Sequence, residues 1–75
     1  MMTLDGNLVD PNLVKLTENV THTIFPEVEE SLMRTDPLDW TPILIKGERV
    51  IDGVQRVLVA RKHKIPWLRY KVYHD

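Results

Sequence analysis

The sequence predicts a small α+β domain, with a short mixed sheet built on a β-hairpin–helix–strand core and two short helices before it. Three observations support this prediction. Residues 42–45 are an apolar run followed by a glycine-containing turn, helical spacing begins after Asp52-Gly53, and residues 67–73 partly alternate in polarity. We therefore expect one domain over residues 1–75, with a helical N-terminal part at 1–40 and the core at 41–75.

Composition narrows the class of protein. The 75 residues include no cysteine, which excludes a disulfide framework, a thiolate zinc site and a cysteine nucleophile. Apolar runs are short and the first residues lack a signal-peptide pattern, so we expect no membrane span and a cytoplasmic location. Residues 1–45 carry eight acids and two bases (−6), and residues 46–75 carry eight bases and three acids (+5). This charge asymmetry indicates either a basic surface for nucleotide or nucleic acid, or two halves that pack together with complementary electrostatic fields.

Two helices are predicted in the N-terminal part. The first runs over residues 12–20, with Asp10 as N-cap, Pro11 at the first helical position, and an apolar stripe of Leu13, Leu16 and Val20. The second runs from Phe25-Pro26 to about Arg34, with acids in its first turns where the helix dipole favours them. We expect its buried side to contain Val28, Leu32 and Met33.

The core follows from three more segments. Residues 42–45 and 49–51 predict a β-hairpin around Gly47. A helix is then expected from Val54 to about Lys64, with Pro66 preventing its continuation. Its buried face should contain Val54, Val57, Leu58 and Ala60. The last strand, over residues 67–73, should turn Leu68, Tyr70 and Val72 to the core and Trp67, Arg69, Lys71 and Tyr73 outward.

The junction between the second strand and the last helix is the candidate site. The first N–H groups of a helix lack partners within it and lie at the positive end of its dipole. Gly53 lets an anion approach the backbone, and Arg56 lies one turn on, where its guanidinium can hold the same anion. Asp52 is either the N-cap or, in a nucleotide site, an acid that holds magnesium or orients a hydroxyl. We assign phosphate binding to Asp52, Gly53, Gln55 and Arg56, against the alternative of ordinary turn chemistry with a solvated arginine.

Other candidates concern nucleic acid and metals. The aromatic residues either stack on bases or complete the core; they are Trp40, Trp67, Tyr70 and Tyr73. The cations that we assign as nucleic-acid contacts are Arg61, Lys62, Lys64, Arg69 and Lys71. The histidines at 22, 63 and 74 lack ligand-like spacing, so no metal site is predicted.

The ordered string of Pro42-Ile43-Leu44-Ile45, then Val50-Ile51-Asp52-Gly53-Val54-Gln55-Arg56-Val57, then Ala60, Ile65-Pro66 and Val72 resembles the core of the ParB/sulfiredoxin-like superfamily. The resemblance covers roughly residues 41–74. It implies a strand ending in Gly-x-x-Arg, a helix and a closing strand, in a role linked to nucleotide phosphates or DNA. In ParB-type partition proteins that turn holds the triphosphate of CTP, and in sulfiredoxins and related serine kinases it holds the phosphates of ATP or ADP. By position, Gly53 and Arg56 would contact phosphate, with CTP or ATP and magnesium as ligands.

The chain also departs from the family pattern. Val54 stands at the position of the sulfiredoxin cysteine, which excludes that chemistry, and Gln55 replaces a cation or histidine that other members have. We also expect no helix-turn-helix for specific DNA binding. These features are those expected of a minimal member carried by a phage or another mobile element.

Three functional hypotheses follow. The first is a small module that binds a nucleotide phosphate or a nucleic-acid backbone through the Gly-x-x-Arg turn. The second is a degenerate fold that acts as a protein-binding adaptor or as a phage inhibitor of a host protein. The third is a metal-dependent nuclease or phosphoryl transferase with Asp52 as its acid, although one acid and one arginine are few groups for that reaction. We favour a non-enzymatic role.

Overall fold

The computed structural model describes residues 7–17 and 22–74, and it has the predicted α+β class. Two helices accompany one mixed five-stranded sheet of order β1-β5-β3-β4-β2. The strands are β1 (Leu8–Val9), β2 (Lys15–Leu16), β3 (Ile43–Lys46), β4 (Arg49–Asp52) and β5 (Leu68–Val72). The helices are α1 (Pro26–Met33) and α2 (Val54–Lys62), and a 3₁₀ helix spans Pro37–Asp39. Among these described residues no helix has the length and apolar character needed to cross a bilayer.

The predicted hairpin, helix and last strand are all confirmed. Strands β3 and β4 are antiparallel around Gly47, which has a positive φ of 65°. After α2 the chain returns as β5, which lies parallel to β3 with Ile43 opposite Tyr70. Strand β1 is antiparallel to β5, and β2 is parallel to β4. The hairpin and β5 therefore form the middle of the sheet, and two-residue strands form its edges.

The core lies between α2 and one face of the sheet. Val57 and Ala60 are fully buried as predicted, but Val59 is fully buried as well, whereas Val54 and Leu58 are half-buried. We expected the buried residues of α2 to form a single stripe, because an amphipathic helix usually packs one face against one neighbouring element. Helix α2 instead contacts the sheet, helix α1 and the turn that follows β1. The other core residues are Val14, Trp40, Ile43, Ile45, Val50 and Leu68.

The predicted helix over residues 12–20 is wrong. Asp10 does act as a cap, because its carboxylate accepts a hydrogen bond from the Asn12 N–H at 2.8 Å, but the result is a turn. The Arg61 guanidinium then donates to the carbonyls of Pro11 (2.8 Å) and Val14 (2.7 Å), which a helix would have used internally. The chain continues as β2, where the Lys15 N–H bonds the Glu48 carbonyl at 2.8 Å. Residues 18–20 of the predicted helix lie outside the described residues.

Helix α1 is confirmed, with Phe25 at its N-cap and Pro26 at its first position. Its expected buried side is correct only in part, since Val28 and Leu32 are half-buried and Met33 is 45% exposed. The reason is that α1 packs beside α2 and not on the sheet, so less of its surface is covered. The expected burial of β5 is also correct only in part. Leu68 is buried and Tyr70 is half-buried, but Val72, the last residue of the strand, is exposed.

Glu29 on α1 connects this helix to the C-terminal end of α2 through two polar contacts. Its carboxylate lies 2.8 Å from the Lys62 Nζ and 2.6 Å from the His63 Nε2, both at the C-terminal end of α2. The hydrogen bonds from Lys62 and His63 lower the pKa of Glu29 below its usual value of 4.5. The cations also lie at the negative end of the α2 dipole, which favours them there.

This contact predicts an acid-dependent loss of stability. A carboxyl whose pKa is lower in the folded than in the unfolded chain stabilises the fold above the unfolded pKa, and that contribution disappears as the pH falls through the folded pKa. We expect Glu29→Gln to reduce the fall in unfolding free energy below pH 4.5, measured by urea denaturation at a series of pH values. Glu27→Gln, an exposed first-turn control, should retain the wild-type slope. Equal slopes in all three proteins would contradict the role of Glu29.

Candidate anion-binding cleft

A cleft of about 470 Å³ opens where the N-terminal end of α2 meets α1. Its apolar lining residues, which we call the apolar wall, are Phe25, Val28, Leu32, Ile51 and Val54. Its polar lining residues are the predicted junction residues Asp52, Gly53, Gln55 and Arg56. The four predicted site residues therefore line one concave surface, with an apolar wall that sequence reasoning did not assign to it.

A β-bulge shapes the rim of this cleft. Leu44 pairs with Asp52 and Ile45 pairs with Val50, so Ile51 is an extra residue in β4. A bulge interrupts the alternation of side chains along a strand. As a result both Ile51 and Asp52 are exposed, where a regular strand would turn one of them to the core. The bulge is thus what presents an apolar and an acidic side chain at the same edge.

Gly53 is the N-cap of α2 and has a left-handed conformation with φ of 97°. Its carbonyl accepts the first helical hydrogen bond, from the Val57 N–H at 3.2 Å. No side chain of the described residues caps the helix, so the N–H groups of its first turn are not bonded by a cap. Asp52 is therefore not the N-cap, because it belongs to β4 and its carboxylate does not reach the helix end.

The fold itself requires glycine at position 53. A Cβ built there would lie 2.8 Å from the Ile43 Cγ2 and 2.8 Å from the Arg56 Nη1, in addition to the unfavourable φ. We expected this side of Gly53 to be open to an anion. The structure instead fills it with a core side chain and with the guanidinium of Arg56.

The Arg56 side chain folds back over the helix end, as its position one turn into α2 predicts. Its Nη1 is buried and, among the described residues, has no hydrogen-bond partner. A buried donor without a partner costs about 1–3 kcal/mol, and more when it is charged. This atom is thus a buried, unpaired cationic donor on a residue that lines the cleft.

Gln55 has a second role that the sequence did not indicate. Its side-chain Oε1 accepts a hydrogen bond from the Phe25 N–H at 2.9 Å, and its Nε2 donates to the Thr23 carbonyl at 2.9 Å. Both polar atoms of the amide are therefore bonded to the segment that leads into α1. Gln55 positions the apolar wall against the helix end, and its backbone N–H is what remains for a ligand.

The predicted nucleic-acid contacts do not lie together. Arg61 bonds the turn after β1, Arg69 donates to the Leu38 carbonyl at 2.9 Å, and Lys62 pairs with Glu29. Lys64 and Lys71 are exposed, the first after α2 and the second on β5. Among the aromatic candidates Trp40 is excluded from base stacking, because it is buried in the core and its Nε1 donates to the Leu32 carbonyl at 2.9 Å.

Comparisons with known proteins identify no relative: the chain matches no protein-family model, no curated protein and no solved structure. Within residues 7–17 and 22–74, no group of three or more acidic or histidine side chains lies close enough together to hold a metal ion. The cleft is thus characterised by its own geometry: an unpaired guanidinium nitrogen, uncapped amides, one exposed carboxylate and an apolar wall.

Proposed function

We propose that this chain is a small ParB-like module whose cleft binds the phosphate of a nucleotide, or of a nucleic-acid backbone, at the Gly53–Arg56 turn. The order of hairpin, helix and parallel strand agrees with the resemblance to the ParB/sulfiredoxin-like superfamily. In this proposal the α2 amides and the Arg56 guanidinium contact the phosphate oxygens.

The observation that supports the proposal most directly is the buried, unpaired Nη1 of Arg56. Native proteins bond nearly all of their buried polar groups, so an unpaired one at a concave surface points to a ligand. The guanidinium fork matches the geometry of a phosphate and binds it through two parallel hydrogen bonds.

The remaining cleft residues favour a nucleotide over a bare phosphate. A volume of about 470 Å³ is large enough for a small organic ligand, whereas phosphate alone would leave most of it empty. The apolar wall of Phe25, Val28, Leu32 and Ile51 offers a surface for a base or a sugar. Asp52 is exposed at the rim, where a magnesium ion accompanying a di- or triphosphate would bind. Binding requires no further acid or base, in contrast to phosphoryl transfer.

Arg56→Leu tests the proposal because it removes the guanidinium and keeps an apolar stem. We expect wild-type protein to bind CTP or ATP with magnesium in isothermal titration calorimetry, and Arg56→Leu to bind at least about tenfold more weakly, the loss expected for one charged hydrogen bond. Arg34→Leu, which removes the same charge from an exposed position after α1 and outside the cleft, is the matched control and should bind like wild type.

The same variants separate loss of binding from loss of folding. Arg56→Leu should unfold at an equal or higher urea concentration than wild type, since it eliminates a buried unpaired donor. The proposal fails if wild-type protein binds neither nucleotide at millimolar concentration, or if Arg56→Leu binds as tightly as Arg34→Leu.

A further inference from the structure

One face of the sheet points away from α2 and is largely exposed. Ile43 and Ile45 face the core, so Leu44 and Lys46, which alternate with them on β3, face the opposite way. The registers of β3 with β4 and β5 place further residues beside these two. We call this surface the open sheet face; it consists of Leu44, Lys46, Arg49, Arg69, Lys71 and Tyr73. The 3₁₀ helix packs against β5 near Arg69, whose guanidinium donates to the Leu38 carbonyl.

The open sheet face is strongly cationic. Lys46 lies directly opposite Arg49, and Lys71 lies one strand away beside Leu44. The side chains of Arg49 and Lys71 are exposed and form no ion pair or hydrogen bond within the described part of the chain. The acidic group on the neighbouring turn, Glu48, already pairs with Lys15 at 3.1 Å. Apart from Asp52 at the rim, the charges of this face therefore attract a polyanion.

Two aromatic rings flank these cations. Tyr73 follows β5 and is 43% exposed, with the Lys46 Nζ 5.7 Å from its ring centroid. Trp67 precedes β5, alternates with Arg69 and is 50% exposed. The two residues are six positions apart, which corresponds to about 20 Å along an extended strand. The exposed cation Lys71 thus lies between the two rings on one side of β5, whereas Arg69 is half-buried against the 3₁₀ helix.

We propose that the open sheet face, together with Trp67, binds single-stranded nucleic acid. Bases stack on Tyr73 and Trp67, Lys71 contacts a phosphate between them, and Arg49 contacts a phosphate beside Tyr73. A double helix fits this surface poorly, because its bases are already stacked and paired and cannot lie on the rings. This site is separate from the cleft and does not depend on the function proposed for Arg56.

The test is fluorescence anisotropy with a labelled oligodeoxythymidylate of roughly 12 nucleotides, within the usual site size of a single-strand-binding fold. Trp67→Leu and Tyr73→Leu should each weaken binding at least about fivefold, the lower end of measured stacking contributions. Met33→Ala is the control, because Met33 is 45% exposed on α1 and lies in neither the cleft nor the open sheet face. It should bind the oligonucleotide like wild type.

The contribution of the cations to binding is measured separately, from its salt dependence. Lys71→Gln should reduce the slope of log K against log salt by about 0.7, the value for one phosphate contact on a single strand. Lys64→Gln, an exposed lysine after α2, should leave the slope unchanged. In wild-type protein the oligonucleotide should quench the emission of the exposed Trp67 and not that of Trp40, which is 5% exposed. This measurement uses only wild-type protein, so it does not depend on whether a variant folds.

Five results would overturn the proposal. The first is the absence of binding up to roughly 10⁻⁴ M protein, which is the weak end of non-specific affinity. The second is unchanged binding in both aromatic variants, and the third is unquenched tryptophan emission at saturation. The fourth is displacement of the oligonucleotide by oligoglutamate as effectively as by unlabelled strand. This fourth result would identify the face as a surface for acidic proteins. The fifth is loss of oligonucleotide binding in Arg56→Leu alone, which would place the contact in the cleft and also reject this site.

Discussion

Gly53→Ala is expected to lower the free energy of unfolding by about 2–5 kcal/mol. Roughly 1–2 kcal/mol of this comes from placing a side chain in the left-handed conformation that Gly53 adopts, with φ of 97°. About 1–3 kcal/mol more comes from overpacking, because the new methyl would lie 2.8 Å from the Ile43 Cγ2, a core atom that cannot move freely. For a domain of this size the melting temperature should fall by about 10 °C or more in thermal denaturation followed by circular dichroism.

Gly47→Ala is the control that separates these two causes. Gly47 also has a positive φ, of 65°, but no atom of residues 7–17 or 22–74 lies within 4 Å of a Cβ built there. It should therefore show only the conformational cost, roughly 1–2 kcal/mol. If Gly53→Ala is no more destabilising than Gly47→Ala, the close approach of Ile43 and Arg56 to Gly53 is not the cause that we assign.

Trp40→Ala is expected to be the most destabilising single change, at about 3–5 kcal/mol. The indole is 5% exposed, so its removal leaves a large cavity next to the start of β3. It also abolishes the hydrogen bond from Nε1 to the Leu32 carbonyl, which connects α1 to the core. A chain of 75 residues has a total stability of roughly 4–11 kcal/mol. The variant should therefore lose between about a quarter and the whole of this stability, as measured by urea titration at 25 °C.

Trp40→Phe distinguishes the cavity from the hydrogen bond. It retains most of the buried ring and loses only the indole N–H, so we expect a cost of about 1–3 kcal/mol. Because Leu32 lines the cleft, this variant should also weaken nucleotide binding more than it weakens oligonucleotide binding. A Trp40→Ala protein as stable as wild type would show that Trp40 is not a core residue.

The core of the fold could be predicted because its signals are local. The apolar run before Gly47, the helical spacing after Gly53 and the proline at 66 determined the hairpin, α2 and β5 within a residue or two. Proline after Phe25 likewise placed the start of α1. In each case the preference of a short segment and its place in the fold agree, so no tertiary contact overrides the local signal.

The predicted helix at residues 12–20 failed because the competing interaction is remote in sequence. Arg61, about fifty residues away, bonds two carbonyls that the helix needed, and β4 offers a partner to Lys15 and Leu16. Local propensity in a short segment is worth only a few tenths of a kcal/mol per residue, so two charged hydrogen bonds and a strand pairing exceed it.

The same distinction applies to the candidate site. The sequence by itself determined that Asp52, Gly53 and Arg56 meet at a strand-to-helix junction, because the three residues are neighbours and the two periodicities change there. Only the tertiary structure decided that Gln55 bonds the segment before α1, that Phe25 and Leu32 form the opposite wall, and that Ile43 fills the space beside Gly53. The physical reason is that a cleft forms between surfaces from distant segments, and their approach depends on packing and hydrogen bonds that no local pattern encodes.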